Sequence, residues 1–474
     1  MTNQHTVQLY SAHPNQPGIR MWLIAAIRRR NRLVYAVILL CGLLAIGLRY
    51  YYVTHAEVFQ PVNQGNVHGD AVDYYDYALN ILIRGVYSKT PLSLPPVADS
   101  YRDPGYPLFL AGWMKIFTHW NSWYASVLLA QAMLGGFTIM LLLASAKDAM
   151  PTNFLMAAGV VMAAWPHSIS MTSYLLTETL FGFLCALALY LFKKCLERGS
   201  NVWAVACGMA FSLASLTNAI LIPFAPLLAL YLFVRRKMTG RLAASLAIAA
   251  AATMTPWLIR NATLPQPHDS SLNRALTNLI QGSWPSYHSA YQSAMKKDQD
   301  SIHLMSIIND ETTTIQATHL AGIALIARRM SKDPARYFLW YLWKPALFWA
   351  WDIRIGQGDV YVYPTYNSPF RTDAAWRMFA AFCEGLNPIL AILAGLGCVL
   401  EIRSRTRAQT AISAIVAMIL YVTSLYTVLQ SEPRYSIPFR GPEILLATFA
   451  VYRIRLWLGH VGKICVTPIT LPTI

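Results

Sequence analysis

Apolar residues along this chain come in long runs rather than thin stripes, and short charged stretches punctuate them. The runs are Leu33–Tyr50, Ser122–Ala146, Asn153–Pro166, Tyr174–Phe192, Val202–Leu216, Ala219–Val234, Leu242–Ile259, Met378–Leu400, Ala411–Leu429 and Ile437–Val451. About 20 apolar residues in a helix cross the ~30 Å of bilayer hydrocarbon, and several runs reach that length while others fall short. Backbone polar groups inside a bilayer must be satisfied within the segment, which a helix does by itself. The pattern therefore predicts an all-α polytopic membrane protein of about ten spans.

Two long segments, 54–121 and 260–377, interrupt the runs. In the first, "GDAVDYYDYALNILIRGVYS" sets Asp70, Tyr74, Ala78 and Leu82 four apart on one helical face, with Asp73, Tyr77 and Ile81 beside them and Gly85 as a stop. A solvated surface helix would also show this pattern. A Pro-rich stretch follows, and then an apolar, aromatic helix over Tyr106–Trp120 that suits a membrane surface. In the second segment, "YFLWYLWKPALFWAWD" (337–352) is expected to be an interfacial or re-entrant helix broken near Pro345, because a full span there would put "EIRSRTR" on the wrong side. "MWLIAAIRRR" near the start predicts an interfacial helix, and no small-residue cleavage site marks a signal peptide.

Composition agrees with this reading: the chain has 474 residues, 55% of them hydrophobic and 13% charged, too few charges for a soluble surface of that size. Charge also orients the spans. Segments 1–32, 147–152, 193–201, 235–241, 401–409 and 453–474 hold 19 Lys/Arg against 3 Asp/Glu, a surplus equal to the whole net charge of +16. By the positive-inside rule these segments are cytoplasmic, both termini included, and 54–121 and 260–377 face outward. The basicity is topological and does not call for nucleic acid. None of the seven cysteines lies in either outer segment and none has metal-ligand spacing, and there is no phosphate-binding glycine loop or nucleophile elbow.

Ionisable residues near membrane depth are functional candidates by default. Asp70, Glu178 in "YLLTETLF", Arg260 in "TPWLIRN", Arg434 in "QSEPRYSIPFR" and His167 all fall at the outer interface. Carboxylates and arginines converging there could bind an anion and move a proton. Bland roles stand beside these: arginines at span ends snorkel, Glu178 suits a helix N-terminus, and Tyr74, Tyr77 and Tyr101 suit an aromatic belt. His167 and Glu178 are too few to define a metal site, so no metal ligand is assigned and the question of a divalent metal stays open.

The first-loop pattern, followed by "YRDPGYPLFLAGW", resembles the GT-C superfamily of polytopic glycosyltransferases, in particular bacterial members related to protein mannosyltransferases and lipid A aminoarabinose transferases. "LLTETLFGF" (175–183), "SLTNAILIPFAPLLAL" (215–230), "TPWLIRN" (255–261) and "EPRYSIPF" (432–439) continue the resemblance in the family's order over most of the chain. It implies a single membrane domain in the plasma (bacterial inner) membrane with its active site on the outer face. The implied activity is an inverting hexosyl or pentosyl transfer from a polyprenyl-phosphate sugar donor to an envelope glycan, lipid or protein. Asp70 would be the catalytic carboxylate and Glu178 a second acidic group. Arg102, Arg260 and Arg434 would bind the carrier phosphate, with Tyr74 and Tyr435 lining the substrate. Two positions depart from the pattern: Asp103 precedes Pro104 where the aminoarabinose transferases have Lys, and Asn218 stands where relatives carry a basic residue. The competing readings are a transporter or flippase for a lipid-linked saccharide, which would place its ionisable groups at the midplane, and an O-antigen polymerase or ligase, which usually carries its main loop late in the chain.

Overall fold

The computed structural model describes residues 17–59, 62, 69–265, 269–403 and 410–464; of these, the side chains of 17–30, 410 and 460–464 are not described. Residues 1–16 and 465–474 of the expected cytoplasmic ends, and most of the 401–409 loop, lie outside the described residues.

The described chain is almost wholly helical. The helices are α1 (Pro17–His55), α2 (Asp70–Arg84), α3 (Gly105–Ile116), α4 (Trp120–Ala146), α5 (Thr152–Ala164), α6 (Pro166–Ser170), α7 (Glu178–Arg198), α8 (Asn201–Thr217), α9 (Phe224–Val234) and α10 (Gly240–Ala262). The second outer segment adds α11 (Ser271–Gly282), α12 (Tyr287–Met295), α13 (Gln299–Ala317), α14 (His319–Lys332), α15 (Pro334–Phe348) and α16 (Pro369–Thr372). The chain closes with α17 (Ala374–Arg403), α18 (Thr410–Val428), α19 (Pro433–Ser436) and α20 (Arg440–Ile464). All ten apolar runs fall largely on helices, but only six helices are long and apolar enough to cross a membrane, or seven if α5 and the following short turns form one bent span. The runs at 202–216 and 219–234 form shorter helices.

In the bundle α1 packs on α4 and α5, α7 on α4 and α8, α8 on α10, and α17 on α20. With lipid as solvent, close backbone approach replaces hydrophobic exclusion as the main source of association, and small residues permit it. Gly208 of α8 lies so close to the Leu246 carbonyl of α10 that a Cβ would collide with that backbone, and Gly397 of α17 meets the Leu446 carbonyl of α20 in the same way.

Outside the bundle, β1 (Glu57–Val58) pairs antiparallel with β2 (Thr365–Tyr366), with Glu57 opposite Tyr366. This short ladder ties the end of α1 to the far end of the second outer segment. A second apolar core, including Tyr74, Tyr106, Trp123, Tyr174, Ile353, Val362 and Ile437, seats α2 and α3 on the end of the bundle that carries both long segments. A third, around Ile280, Tyr287, Ile308 and Ile315, holds α11–α13 together above it.

Two local expectations change. The stretch "MWLIAAIRRR" continues α1 rather than forming a separate helix. The tryptophan-rich helix is not broken at Pro345: α15 runs through it and ends at Phe348, where Trp349 N–H donates to Pro345 O. Proline near a C-terminus removes one helical hydrogen bond but leaves little helix beyond it to disrupt. The preceding Lys344, fully buried, donates to the carbonyls of Gly282, Val428 and Leu429 and so satisfies the exposed end of α18.

Candidate active site

The first outer loop folds back on itself so that Arg102 returns to the start of α2. Gly69 is extended and α2 opens at Asp70; Gly85, in the left-handed region at φ 68°, closes it as the sequence predicts. Asn80 then donates to Ser88 O and Thr90 O, and Arg84 to Leu92 O and Leu94 O, curling the Pro-rich stretch under the helix. Tyr77 O–H donates to Asp99, whose other oxygen accepts from Lys89 N–H. The turn that follows delivers Arg102.

Arg102 Nη2 lies 2.6 Å from Asp70 Oδ1 and 2.7 Å from Asp73 Oδ2, and its Nε donates to the same Asp73 oxygen at 2.9 Å. The other oxygen of Asp70, Oδ2, lies 2.7 Å from Arg434 Nη2. Arg434 Nε in turn donates to Glu178 Oε1 at 2.6 Å. Asp70 is thus clamped between two guanidiniums from opposite ends of the chain, and Glu178 fixes the second. Glu178, the first residue of α7, also sits where the helix dipole favours a carboxylate.

A third arginine completes the cluster. Arg274 of α11 reaches Asp103 Oδ2 at 2.5 Å, and the same oxygen accepts from Ala219 N–H at 3.0 Å. Asp103, one of the two departures from the family pattern, therefore holds a guanidinium instead of supplying a cation. Asn218, the other, caps the short turn at Ala219–Leu221 through its side-chain oxygen.

Burial alone would push the Asp70 carboxyl up, but Arg102 and Arg434 outweigh it and hold it well below the usual carboxylate range. Asp73 goes the other way: burial raises it, and Arg102 offsets that only in part. Asp76, with no cation partner among the described residues, is raised to about 6 by burial and by Asp73. Tyr74 is pushed up to about 12 by burial and stays a neutral hydroxyl.

Two cavities meet at this cluster. The inner one, about 310 Å³, is lined by Asp70, Tyr74, Arg102, Glu178, Arg274, Arg434 and Tyr435, with Phe181, Asn218 and Tyr426 on its bundle side. The outer one, about 680 Å³, is lined by Gly69, Tyr363 and the 354–358 loop. Asp70, Tyr291, Ile355 and Arg434 line both, so the clamped carboxylate stands in the shared wall. Chemically the site offers an anion-binding chamber, a carboxylate facing two compartments, and tyrosines for polar contact. Four carboxylates (Asp70, Asp73, Asp103, Glu178) face three guanidiniums, so an entering anion must compete for arginines already engaged.

Six of the seven residues expected from the sequence converge here: Asp70, Glu178, Arg102, Arg434, Tyr74 and Tyr435 line the inner cavity. Tyr435 stacks on Tyr426, and Tyr74 packs edge-on to Tyr106. Arg260 is placed elsewhere. Its guanidinium donates to the backbone carbonyls of Asp99 at 2.5 Å and Tyr87 at 3.0 Å and lies over the Tyr87 and Trp257 rings, clamping the first loop to α10. His167 is fully buried with Nε2 on the Trp351 carbonyl, and no group of three metal-binding side chains comes together among the described residues. Sequence reasoning missed Arg274 and its helix. The signal was there: Arg274, Thr277, Asn278 and Gln281 form one polar stripe of an amphipathic helix, and all four line the cavity.

No family model matches the chain, and no curated protein does. Among solved structures, the archaeal oligosaccharyltransferase AglB from Archaeoglobus fulgidus, in complex with an inhibitory peptide and a dolichol-phosphate, aligns with 93% of this chain and 52% of its own at 14% identity and a TM-score of 0.48. A second structure of that oligosaccharyltransferase, tethered to an acceptor peptide, aligns with 91% and 50% at 12% identity and a TM-score of 0.49. ArnT from Cupriavidus metallidurans bound to undecaprenyl phosphate aligns with 91% and 81% at 14% identity and a TM-score of 0.36. The chain spans about half the length of the oligosaccharyltransferase chains.

Proposed function

We propose that this protein is an inverting glycosyltransferase that moves a sugar from a polyprenyl-phosphate carrier to an envelope acceptor on the outer face of the membrane. The observation that carries the reading is Asp70, held between Arg102 and Arg434 in the wall between two cavities. One chamber can hold a donor phosphate and the other an acceptor, with a carboxylate between them.

The donor phosphate enters the inner cavity, whose bundle side comes from the outer ends of α7 and α18 and lets a prenyl tail remain among the helices. Arg102 and Arg434 exchange Asp70, and Arg274 exchanges Asp103, for the phosphate oxygens, where charge develops as the leaving group departs. The acceptor O–H attacks the anomeric carbon from the outer cavity. As the new C–O bond forms, the bond from that carbon to the phosphate oxygen breaks, and the carrier leaves as polyprenyl phosphate. Asp70, released from its guanidiniums by the phosphate, takes the hydroxyl proton. A single displacement on opposite faces inverts the anomeric centre, unlike the two closely set carboxylates of retaining glycosidases. Glu178 keeps Arg434 aimed at the phosphate.

The topology that goes with this is a single membrane domain of about ten spans when the short helices α8 and α9 and the final α20 are counted. Both termini are cytoplasmic, in a bacterial inner membrane, and segments 54–121 and 260–377 are outside. The exposed apolar side chains of α15 (Phe338, Leu339, Leu342 and Trp343) suit a helix lying on the bilayer surface. The test is transfer from a labelled synthetic polyprenyl-phosphate sugar by the purified, reconstituted protein to envelope extract, with the anomeric configuration of the product read by NMR. Movement of the intact lipid-linked sugar across the bilayer without transfer would replace the enzyme reading by a transporter.

A further inference from the structure

The outer cavity has a chemistry that the transfer reaction does not by itself require. Of its described lining, Asp70 is the sole carboxylate, and that carboxylate is already engaged by Arg102 and Arg434. Arg354 and Lys296 also line it, and neither has a carboxylate partner among the described residues. The Arg354 backbone is fixed, since its N–H donates to the buried Glu432 at 2.7 Å, while its guanidinium is left for the cavity. Two unneutralised cations face a chamber whose other polar side chains among the described residues, besides Asp70 and Arg434, are the amides of Gln292 and Gln357 and the phenols of Tyr291 and Tyr363.

That combination is selective. Tyrosine rings accept the C–H faces of a sugar, carboxamides both donate to and accept from hydroxyls, and free cations seek acid groups. The volume, about 680 Å³, falls within the ~300–1,000 Å³ of small-ligand sites, and Met295 and Phe59 on its wall are exposed. A neutral glycan or an uncharged hydroxyl side chain would leave Arg354 and Lys296 unanswered.

We propose that the outer cavity binds a negatively charged saccharide, one bearing a carboxylate or phosphate near the attacking hydroxyl, and that this is the acceptor. The acceptor role rests on the glycosyltransferase reading; the selectivity of the cavity does not. The acid group sits between Arg354 and Lys296, and a neighbouring hydroxyl then points to Asp70 through the shared wall.

The test uses the full chain in detergent and four probes: trigalacturonate, a phosphorylated trisaccharide, the neutral trisaccharide maltotriose, and vesicles of phosphatidylglycerol. Trigalacturonate should bind about tenfold more tightly than maltotriose at low salt, and raised salt should erase the difference. The double substitution Arg354→Gln with Lys296→Gln should abolish the preference while polyprenyl-phosphate binding, which uses Arg102 and Arg434, persists; a phosphorylated trisaccharide should behave as trigalacturonate does. Equal binding of the acidic and neutral trisaccharides, or an unchanged preference in the double variant, overturns the proposal. So does displacement of trigalacturonate by phosphatidylglycerol vesicles but not by the phosphorylated trisaccharide, which would give the cations to a lipid headgroup. If the acidic preference holds and no sugar is transferred from any polyprenyl-phosphate donor, the enzyme reading fails and the cavity assignment stands. If transfer proceeds equally to neutral acceptors, the reverse is true.

Discussion

Substituting Asp70 by Asn separates a base from a structural ion-pair partner because its two effects have opposite signs. Asn keeps the shape and one acceptor oxygen but cannot take a proton. If Asp70 is the base, transfer falls by about 10²–10⁴-fold, the usual contribution of general-base catalysis. Binding of the product carrier should move the other way. Asp70 occupies Arg102 at 2.6 Å and Arg434 at 2.7 Å, so a phosphate must take both from it. Charge-assisted hydrogen bonds are worth about 1.5–3 kcal/mol each, and Asp73 and Glu178 still hold the same arginines, so the net relief corresponds to about one such bond. Polyprenyl phosphate should then bind Asp70→Asn about ten- to a hundredfold more tightly than the parent. The assay pairs single-turnover transfer from a synthetic polyprenyl-phosphate sugar with equilibrium binding of unlabelled polyprenyl phosphate to the same preparation. Slower transfer with weaker binding would mean that Asp70 only holds the arginines in place, and unchanged transfer would remove it from the chemistry.

Arg434→Ala should weaken polyprenyl-phosphate binding by roughly 1.5–3 kcal/mol, with Lys a poor substitute because one guanidinium serves both Asp70 and Glu178; binding titrations on both variants check this. Arg260→Ala should instead lower thermal stability by about 1–3 kcal/mol through two orphaned carbonyls, with the carrier still bound, and a large loss of carrier affinity without a fall in Tm would return Arg260 to the phosphate site. Asp76→Asn should raise Tm at pH 7.5 and leave it nearly unchanged at pH 4. Folding raises the Asp76 carboxyl to about 6, so the folded state is favoured while it is protonated, and that advantage is lost as pH rises through 6. Cysteines introduced at the exposed Ser93 and Gln299 should label from outside intact cells and one at Ser404 should not, with little background because the six described native cysteines are all buried; labelling at Ser404 would invert the topology.

What could be read from the sequence, and what could not, follows from the range of the interactions involved. Helix α2, its stop at Gly85 and the apolar runs are local, set by periodicity and by backbone conformations that a single residue decides. Asp70 stood out as the acid that opens the polar face of α2 in the first long segment. The convergence of Glu178 and Arg434 was legible because each sits at the end of a hydrophobic run, and a membrane would bring such ends to one level. Arg260 satisfied that same criterion and still went elsewhere. Shared depth does not fix azimuth around the bundle, and there the Tyr87 and Asp99 carbonyls needed a donor. Arg274 and the 354–358 loop were hidden for the complementary reason: both lie in the long segment between the apolar runs, where tertiary packing alone brings them to the site. Depth along the membrane normal thus supplies one coordinate of this site from sequence, and the outer segments supply the rest only once folded. The outer cavity, which would face the acceptor in the proposed transfer, is therefore the part of the site that sequence patterns resolve least, and the proposed acceptor is argued from that cavity's charge and shape.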